Sequence, residues 1–207
     1  MGEMGLRARK KQRMYQDVSD IAVRLFLERG FDAVSVAEVA AAAGISKPTL
    51  FRYFPAKEDL VLHRIADHEA EAARVVAGAG DPVDALRRHF LAGLERRDPV
   101  TGLNDNPEVL AFHTLLYGTP ALVARAYAHL ERSETALAGA LGGGLDARLA
   151  AGQIVAVQRI LAQENWRRVA AGERIEEVEP DAVRAAERAF RRLAEGLPDL
   201  KGRMRLG

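Results

Sequence analysis

The apolar positions of this chain recur at three- and four-residue intervals, the period that lines side chains along one face of a helix. Val18, Ile21, Ala22, Leu25 and Phe26 form one such stripe, on a helix read from near Lys11 to Gly30. Phe31, just beyond the glycine, is placed to fold back on the helix end. A second stripe, Val36, Val39, Ala40 and Ala43, follows directly. Ser35 and Glu38 make a capping box ahead of it, and Val34 with Val39 a hydrophobic staple. Gly44 ends this helix because glycine enters the left-handed conformation without steric cost. Ser46 caps a third helix, with Pro48 in its first turn, where a missing N–H costs nothing. Helix, glycine turn, helix is the helix-turn-helix plan, whose second helix lies in the DNA major groove. That helix is too short and polar for a bundle. Leu50 and Phe54 anchor it, while Lys47, Thr49, Phe51, Arg52 and Tyr53 crowd outward, residue types that reach phosphates and base edges.

Downstream the helical period continues. Lys57, Glu58 and Leu60 start a helix read as running to about Ala77, with an inner face of Leu60, Val61, Ile65, Ala72 and Val76. Asp81-Pro82 opens a helix to about Arg97, and Asn106-Pro107-Glu108 and Thr119-Pro120 open two more. Gly142 to Gly144 break the chain, Asp146 is read as the cap of a long helix to about Ala171, and Pro180 as the opening of the last. Strand-type alternation is nearly absent, so the fold class is all-α. The expected division is a DNA-binding domain over residues 1–56 and a larger helical domain over 57–207.

Composition narrows the function. The chain has 207 residues, 48% of them hydrophobic and 29% charged. No apolar run approaches the roughly 18 residues of a membrane span. The first residues carry basic side chains with no apolar stretch behind them, so no secretory signal is read. The chain has no cysteine, which removes disulfides, thiol catalysis and cysteine-based zinc sites and fits a reducing cytoplasm. Net charge is only +1, but Arg7, Arg9, Lys10, Lys11 and Arg13 cluster ahead of the first stripe. Such an arm is either a solvated terminus or a source of phosphate contacts. His63 and His68 are five apart, off the spacing of a two-histidine helical metal site, and His63 with Asp67 reads as a surface pair. The glycines at 142–144 lack a phosphate-loop lysine, Asn104-Asp105-Asn106 lacks the rest of a calcium loop, and no serine sits in a nucleophile elbow. No catalytic residue, metal site or cofactor is therefore expected.

Residues 17 to 62 resemble the N-terminal domain of TetR-family transcriptional regulators. The resemblance rests on the G-F-x-x-x-S-V entry, the A-x-x-A-G-I-S turn, the T-L-F-x-Y-F recognition helix and the K-E-x-L that opens the next helix. The rest of the chain matches the family only in length and helical content. By position, the resemblance places operator contacts on Lys47, Pro48, Thr49, Phe51, Tyr53 and Lys57, with Ser35 and Arg52 completing the set. Lys47 would read guanine, Pro48 and Thr49 would meet a thymine methyl, and Tyr53 and Lys57 would hold phosphates. Phe51 departs from the tyrosine usual in the family and lacks its hydroxyl. The resemblance also implies a small-molecule pocket in the C-terminal domain and a homodimer built from the last two long helices. Phe90, Leu94, Phe112, Leu116 and Trp166 are the candidate apolar walls, and His113, Tyr117, Gln158 and Asn165 the polar groups. Ile154, Val157 and Leu161 on one helix and Ala186, Phe190 and Leu193 on the last are read as the dimer stripes, although Phe190 and Leu193 also suit the domain's own core. The implied partners are a double-stranded DNA operator, a second copy and a small-molecule effector, with no membrane. The alternative is a helical enzyme or carrier that keeps the hairpin as scaffold.

Overall fold

Apolar faces at helical spacing can be covered only by other helices or by a sheet, and this chain supplies helices. The computed structural model describes the backbone of residues 2–66 and 68–197, and the side chains of residues 12–66 and 68–197. Among the described residues there is no strand. The helices are α1 (Gly2–Arg29), α2 (Val36–Ala42), α3 (Lys47–Tyr53), α4 (Asp59–Ala66), α5 (Glu71–Val76), α6 (Pro82–Glu95), α7 (Pro107–Gly118), α8 (Pro120–Ala140), α9 (Gly144–Ala170) and α10 (Ile175–Gly196), with a 3-10 turn at Pro99–Thr101. None of the described helices is long and apolar enough to cross a membrane.

The chain forms two compact units, Met1–Asp67 with Ala111–Ala128, and His68–Leu110 with His129–Gly207. The first is centred on Val18, Ala22 and Phe26 of α1, Val39 and Ala40 of α2, Leu50 of α3, and Leu60, Val61 and Leu62 of α4, joined by Leu116 and Leu122. The Ser19 hydroxyl, wholly buried, donates to the Leu60 carbonyl at 2.7 Å and ties α1 to α4. Leu86, Phe90 and Leu94 of α6 form the second core with Leu137 of α8, Ile154 of α9 and Val178 and Phe190 of α10. Each such side chain contributes roughly 1.5–3 kcal/mol by leaving water.

Several boundaries differ from the sequence reading. α1 begins at Gly2 rather than near Lys11, so the basic arm is the helix's first turns; the side chains of Arg7, Arg9, Lys10 and Lys11 lie outside the described ones. The long helix expected from Lys57 to Ala77 is two helices, α4 and α5, with a turn between them. The division expected after Ala56 falls after Asp67, because the apolar face of α4 belongs to the first core. α9 starts at Gly144 behind Gly143, so Asp146 lies in its first turn and does not cap it. α10 starts at Ile175, with Pro180 inside it. Burial of Ile175 and Val178 offsets the backbone hydrogen bond that the proline cannot make.

Candidate nucleic-acid interface

The hairpin of α2 and α3 is fixed by caps at each end. The Ser35 hydroxyl accepts from the Glu38 amide at 3.2 Å, and Glu38 accepts from the Ser35 amide at 2.8 Å. Arg29 reaches the same carboxylate at 2.6 Å. The Ser35 amide, with Arg29, holds the Glu38 carboxyl down to about 2. Gly44 follows with φ +66°; its amide donates to the Ala41 carbonyl and that of Ile45 to the Ala40 carbonyl, the Schellman arrangement. Ser46 then caps α3 by accepting from the Thr49 amide at 3.2 Å, and the two hydroxyls lie 2.7 Å apart. Caps of this kind stabilise short helices by about 1 kcal/mol each.

With Leu50 buried beneath it, α3 turns Lys47, Pro48, Phe51 and Arg52 to solvent, with Thr49 and Tyr53 half-buried beside them and Ser35 exposed at the start of α2. Phe51 is 40% exposed and the Lys47 ammonium lies 5.9 Å from its ring centre. Arg52 stacks 5.0 Å from the Tyr53 ring centre and donates to its hydroxyl at 3.2 Å. Tyr53 in turn meets the edge of Tyr15, which also stacks on His63. Cations, an apolar ring and hydroxyls on one helix face are what contact with DNA requires.

Lys57 departs from its expected place. Its ammonium donates to the Phe31 carbonyl and sits 4.4 Å from the Phe31 ring centre and 5.4 Å from that of Phe26. It is turned into the domain, clasping the chain before α2 to the entry of α4, and does not point outward as a phosphate ligand would.

The candidate pocket residues fall in different units. Phe90 and Leu94 are buried in the second core, and Gln158 and Trp166 lie half-buried on α9. Asn165 is buried, and its amide is committed to the Thr101 carbonyl at 2.9 Å, which makes it a structural tie and corrects its reading as a ligand group. Phe112, His113, Leu116 and Tyr117 lie in the first unit. Leu116 is buried there, Arg64 sits over the Phe112 ring, and His113 stacks on Tyr117. Burial alone depresses His113 to about 4.

The candidate dimer stripes need the larger correction. Ile154, Ala186, Phe190 and Leu193 are buried within the chain's own second core and offer no surface to a partner; Val157 and Leu161 are half-buried against the same core. The exposed apolar side chains of α9 are instead Leu145 (69%), Leu149 (56%) and Ile160 (56%). At 100° per residue these three, with Ala156, fall within an arc of about 60°, on the side of the helix away from Ile154. Their spacing was visible in the sequence; which of the two stripes faced the core was not.

Sequence reasoning also missed a polar cluster in the second unit, where Glu69 meets His129 and Arg132, and Glu71 meets His68 and His89. His68 is a neighbour of Glu71, but His89, His129 and Arg132 come from distant parts of the chain, so no local motif marks the cluster.

The hairpin of α2 and α3, followed by a second helical unit, has the helix-turn-helix arrangement. Residues 19–63 match the model of the bacterial regulatory proteins of the tetR family. The match lies in the N-terminal part of the chain, and the chain spans about three fifths of the length of the first curated relatives it matches. It is 35% identical over 134 residues to the HTH-type transcriptional regulator TcmR of Streptomyces glaucescens, a match covering 63% of this chain and 58% of that protein's length. In fold it is similar to NalD, the secondary repressor of the MexAB-OprM multidrug efflux pump in Pseudomonas aeruginosa, with TM-score 0.57 and 17% identity over 88% of this chain and 96% of that one. It is also similar to SmeT, solved as a complex with triclosan, with TM-score 0.55 and 15% identity over 89% of this chain and 91% of that one.

Proposed function

We propose that this chain is a ligand-responsive DNA-binding transcriptional regulator, a repressor that binds a pseudo-palindromic operator as a homodimer and is released by a small molecule. The observation that carries this reading is α3, capped by Ser46 and set behind the Gly44 turn, whose outer face presents Lys47, Phe51 and Arg52. Similarity to a regulator and to a repressor of an efflux pump supports it, and the triclosan complex of SmeT supports a small-molecule effector. Two recognition helices must meet successive major grooves, about 34–36 Å apart, so the operator reading requires a second copy. The outer stripe of α9 at Leu145, Leu149 and Ile160 is the surface for it. The effector acts by preferring the state that does not hold operator.

The test is a gel shift with DNA from upstream of the protein's own gene, at two salt concentrations. A retarded band that survives competition by scrambled DNA is expected. Lys47→Ala should relax the sequence preference, by about 1–3 kcal/mol at the base pair it reads. Equal affinity for operator and scrambled duplex would overturn the reading.

A further inference from the structure

Phe51 is an exposed aromatic ring on the helix that a helix-turn-helix lays in the major groove. The short α3 is already anchored by Leu50 and Phe54, both buried in the first core, which Phe51 does not join. A lone exposed apolar side chain is ordinary on any protein surface and means nothing by itself. The neighbours of Phe51 set it apart. The Lys47 ammonium, one turn earlier, lies 5.9 Å from its ring centre. On its other side in sequence, Arg52 stacks on the Tyr53 ring and donates to the Tyr53 hydroxyl at 3.2 Å. The phenyl ring is thus framed by two exposed cations, on a face suited to a polyanion. A phenyl ring has neither donor nor acceptor, so it can hydrogen-bond no phosphate oxygen and no polar base edge. The apolar group that a base pair presents in the major groove is the C5 methyl of thymine.

We propose that Phe51 is a specificity-determining residue that reads a thymine through its methyl group, beside the base pair read by Lys47. The two side chains are one helical turn apart, about 6 Å along the axis of α3. Successive bases of a strand are about 3.4 Å apart. The thymine therefore stands within roughly two base pairs of the pair that Lys47 reads. Cytosine in its place offers an amino donor and no methyl, which leaves the ring against a polar edge it cannot satisfy. Insertion of the ring between base pairs is excluded by its place, since side-chain wedges of that kind enter from the minor groove. Contact with the sugar-phosphate backbone would add affinity without sequence preference, and the test separates it. This inference rests on the reading of the chain as an operator-binding regulator and names a feature of the operator.

The test uses the full chain and the upstream duplex of the gel shift, synthesised once with thymine and once with uracil throughout. Uracil removes the methyl groups and keeps every hydrogen-bonding group of the base pairs. Wild-type protein is expected to bind the uracil duplex at least ~4-fold more weakly, the loss that accompanies exposure of one buried methyl-sized group. Phe51→Ala should shrink that ratio by the same factor and leave the slope of log affinity against log salt unchanged, because no charge is removed. Phe51→Leu, which keeps an apolar tip, should preserve most of the ratio. Single thymine-to-uracil replacements should then place the sensitive thymine within roughly two base pairs of the pair whose preference Lys47→Ala relaxes. Those replacements are read with wild-type protein, so the test survives if a Phe51 variant fails to fold. A wild-type ratio near one, a ratio untouched by Phe51→Ala, or a sensitive thymine far from the Lys47 pair would overturn the proposal; affinity lost equally for both duplexes would assign the ring to the backbone. A chain that prefers its operator yet ignores the methyl groups refutes this inference alone, whereas one that treats operator and scrambled duplex alike refutes the regulator reading and this inference with it.

Discussion

At the scale of single residues, Lys57 shows how a position can fit a motif while its side chain is committed elsewhere. A lysine at the entry of α4 reads as a phosphate ligand, yet here it closes a clasp on the Phe31 carbonyl and two phenyl rings. Cation–ring contacts of this kind contribute roughly 0.5–2 kcal/mol. Lys57→Met should therefore lower the melting temperature of the chain and weaken operator binding through misplaced helices, with the slope of log affinity against log salt unchanged. A slope reduced by about one would restore Lys57 to the phosphate-binding set. Gly102 is a second such position. Its φ is +72°, and a Cβ there would lie 1.9 Å from the Ala162 carbonyl oxygen, so the loop after the 3-10 turn meets the backbone of α9 directly. Asn165 closes the same approach by donating to Thr101. Gly102→Ala should destabilise by more than the roughly 1 kcal/mol of a left-handed alanine, because α9 must also move. Urea unfolding measures it; a loss within 0.5 kcal/mol, roughly the scale of an ordinary surface change, would show that the loop gives way freely.

At the scale of elements, the period of apolar residues located the helices and missed where two of them end. Ile65, Ala72 and Val76 keep helical phase across the break between α4 and α5, so the stripe alone reads as one helix. Tertiary contacts decide otherwise. Leu60, Val61 and Leu62 bind α4 into the first core, while Val76 enters the second. Between them, Glu69 turns to His129 and Arg132, and Glu71 to His68 and His89. α9 poses the same problem sideways, with one apolar stripe on each side. The stripe chosen from sequence was Ile154, Val157 and Leu161, and the core claimed Ile154 outright. The outer stripe carries the dimer prediction. Leu149→Glu should leave helical content and melting cooperativity near those of the parent while shifting sedimentation from dimer to monomer, with operator affinity falling steeply because one recognition helix must act alone. Sedimentation unchanged by Leu149→Glu would move the interface elsewhere.

At the scale of the whole molecule, acid should act in two windows. His113 is depressed to about 4 by burial, so the folded state favours its neutral ring. A depressed folded value gives stability that is present above the unfolded value of about 6.5 and lost as pH falls toward 4. Glu38 and Glu71 are each held down to about 2, Glu38 first by the Ser35 amide and Glu71 first by His68, and their contributions fade only between about 4.5 and 2. Thermal melts from pH 7 to 3 should show the first loss before the second, and His113→Gln should flatten the upper window and spare the lower; an unchanged upper window would locate the titration elsewhere. The sequence by itself determined what local chemistry dictates: the helical class, the capped hairpin of α2 and α3, and the outward set on α3, because caps, glycine turns and a 3.6-residue period act over a few residues. Only the tertiary structure decided where α4 stops, which stripe of α9 is core, that Lys57 turns inward, that Asn165 is a tie, and that Glu69, His129 and Arg132 meet. Those outcomes depend on which surfaces compete for the same apolar cover and on partners some sixty residues apart in the chain, about which no local pattern carries information.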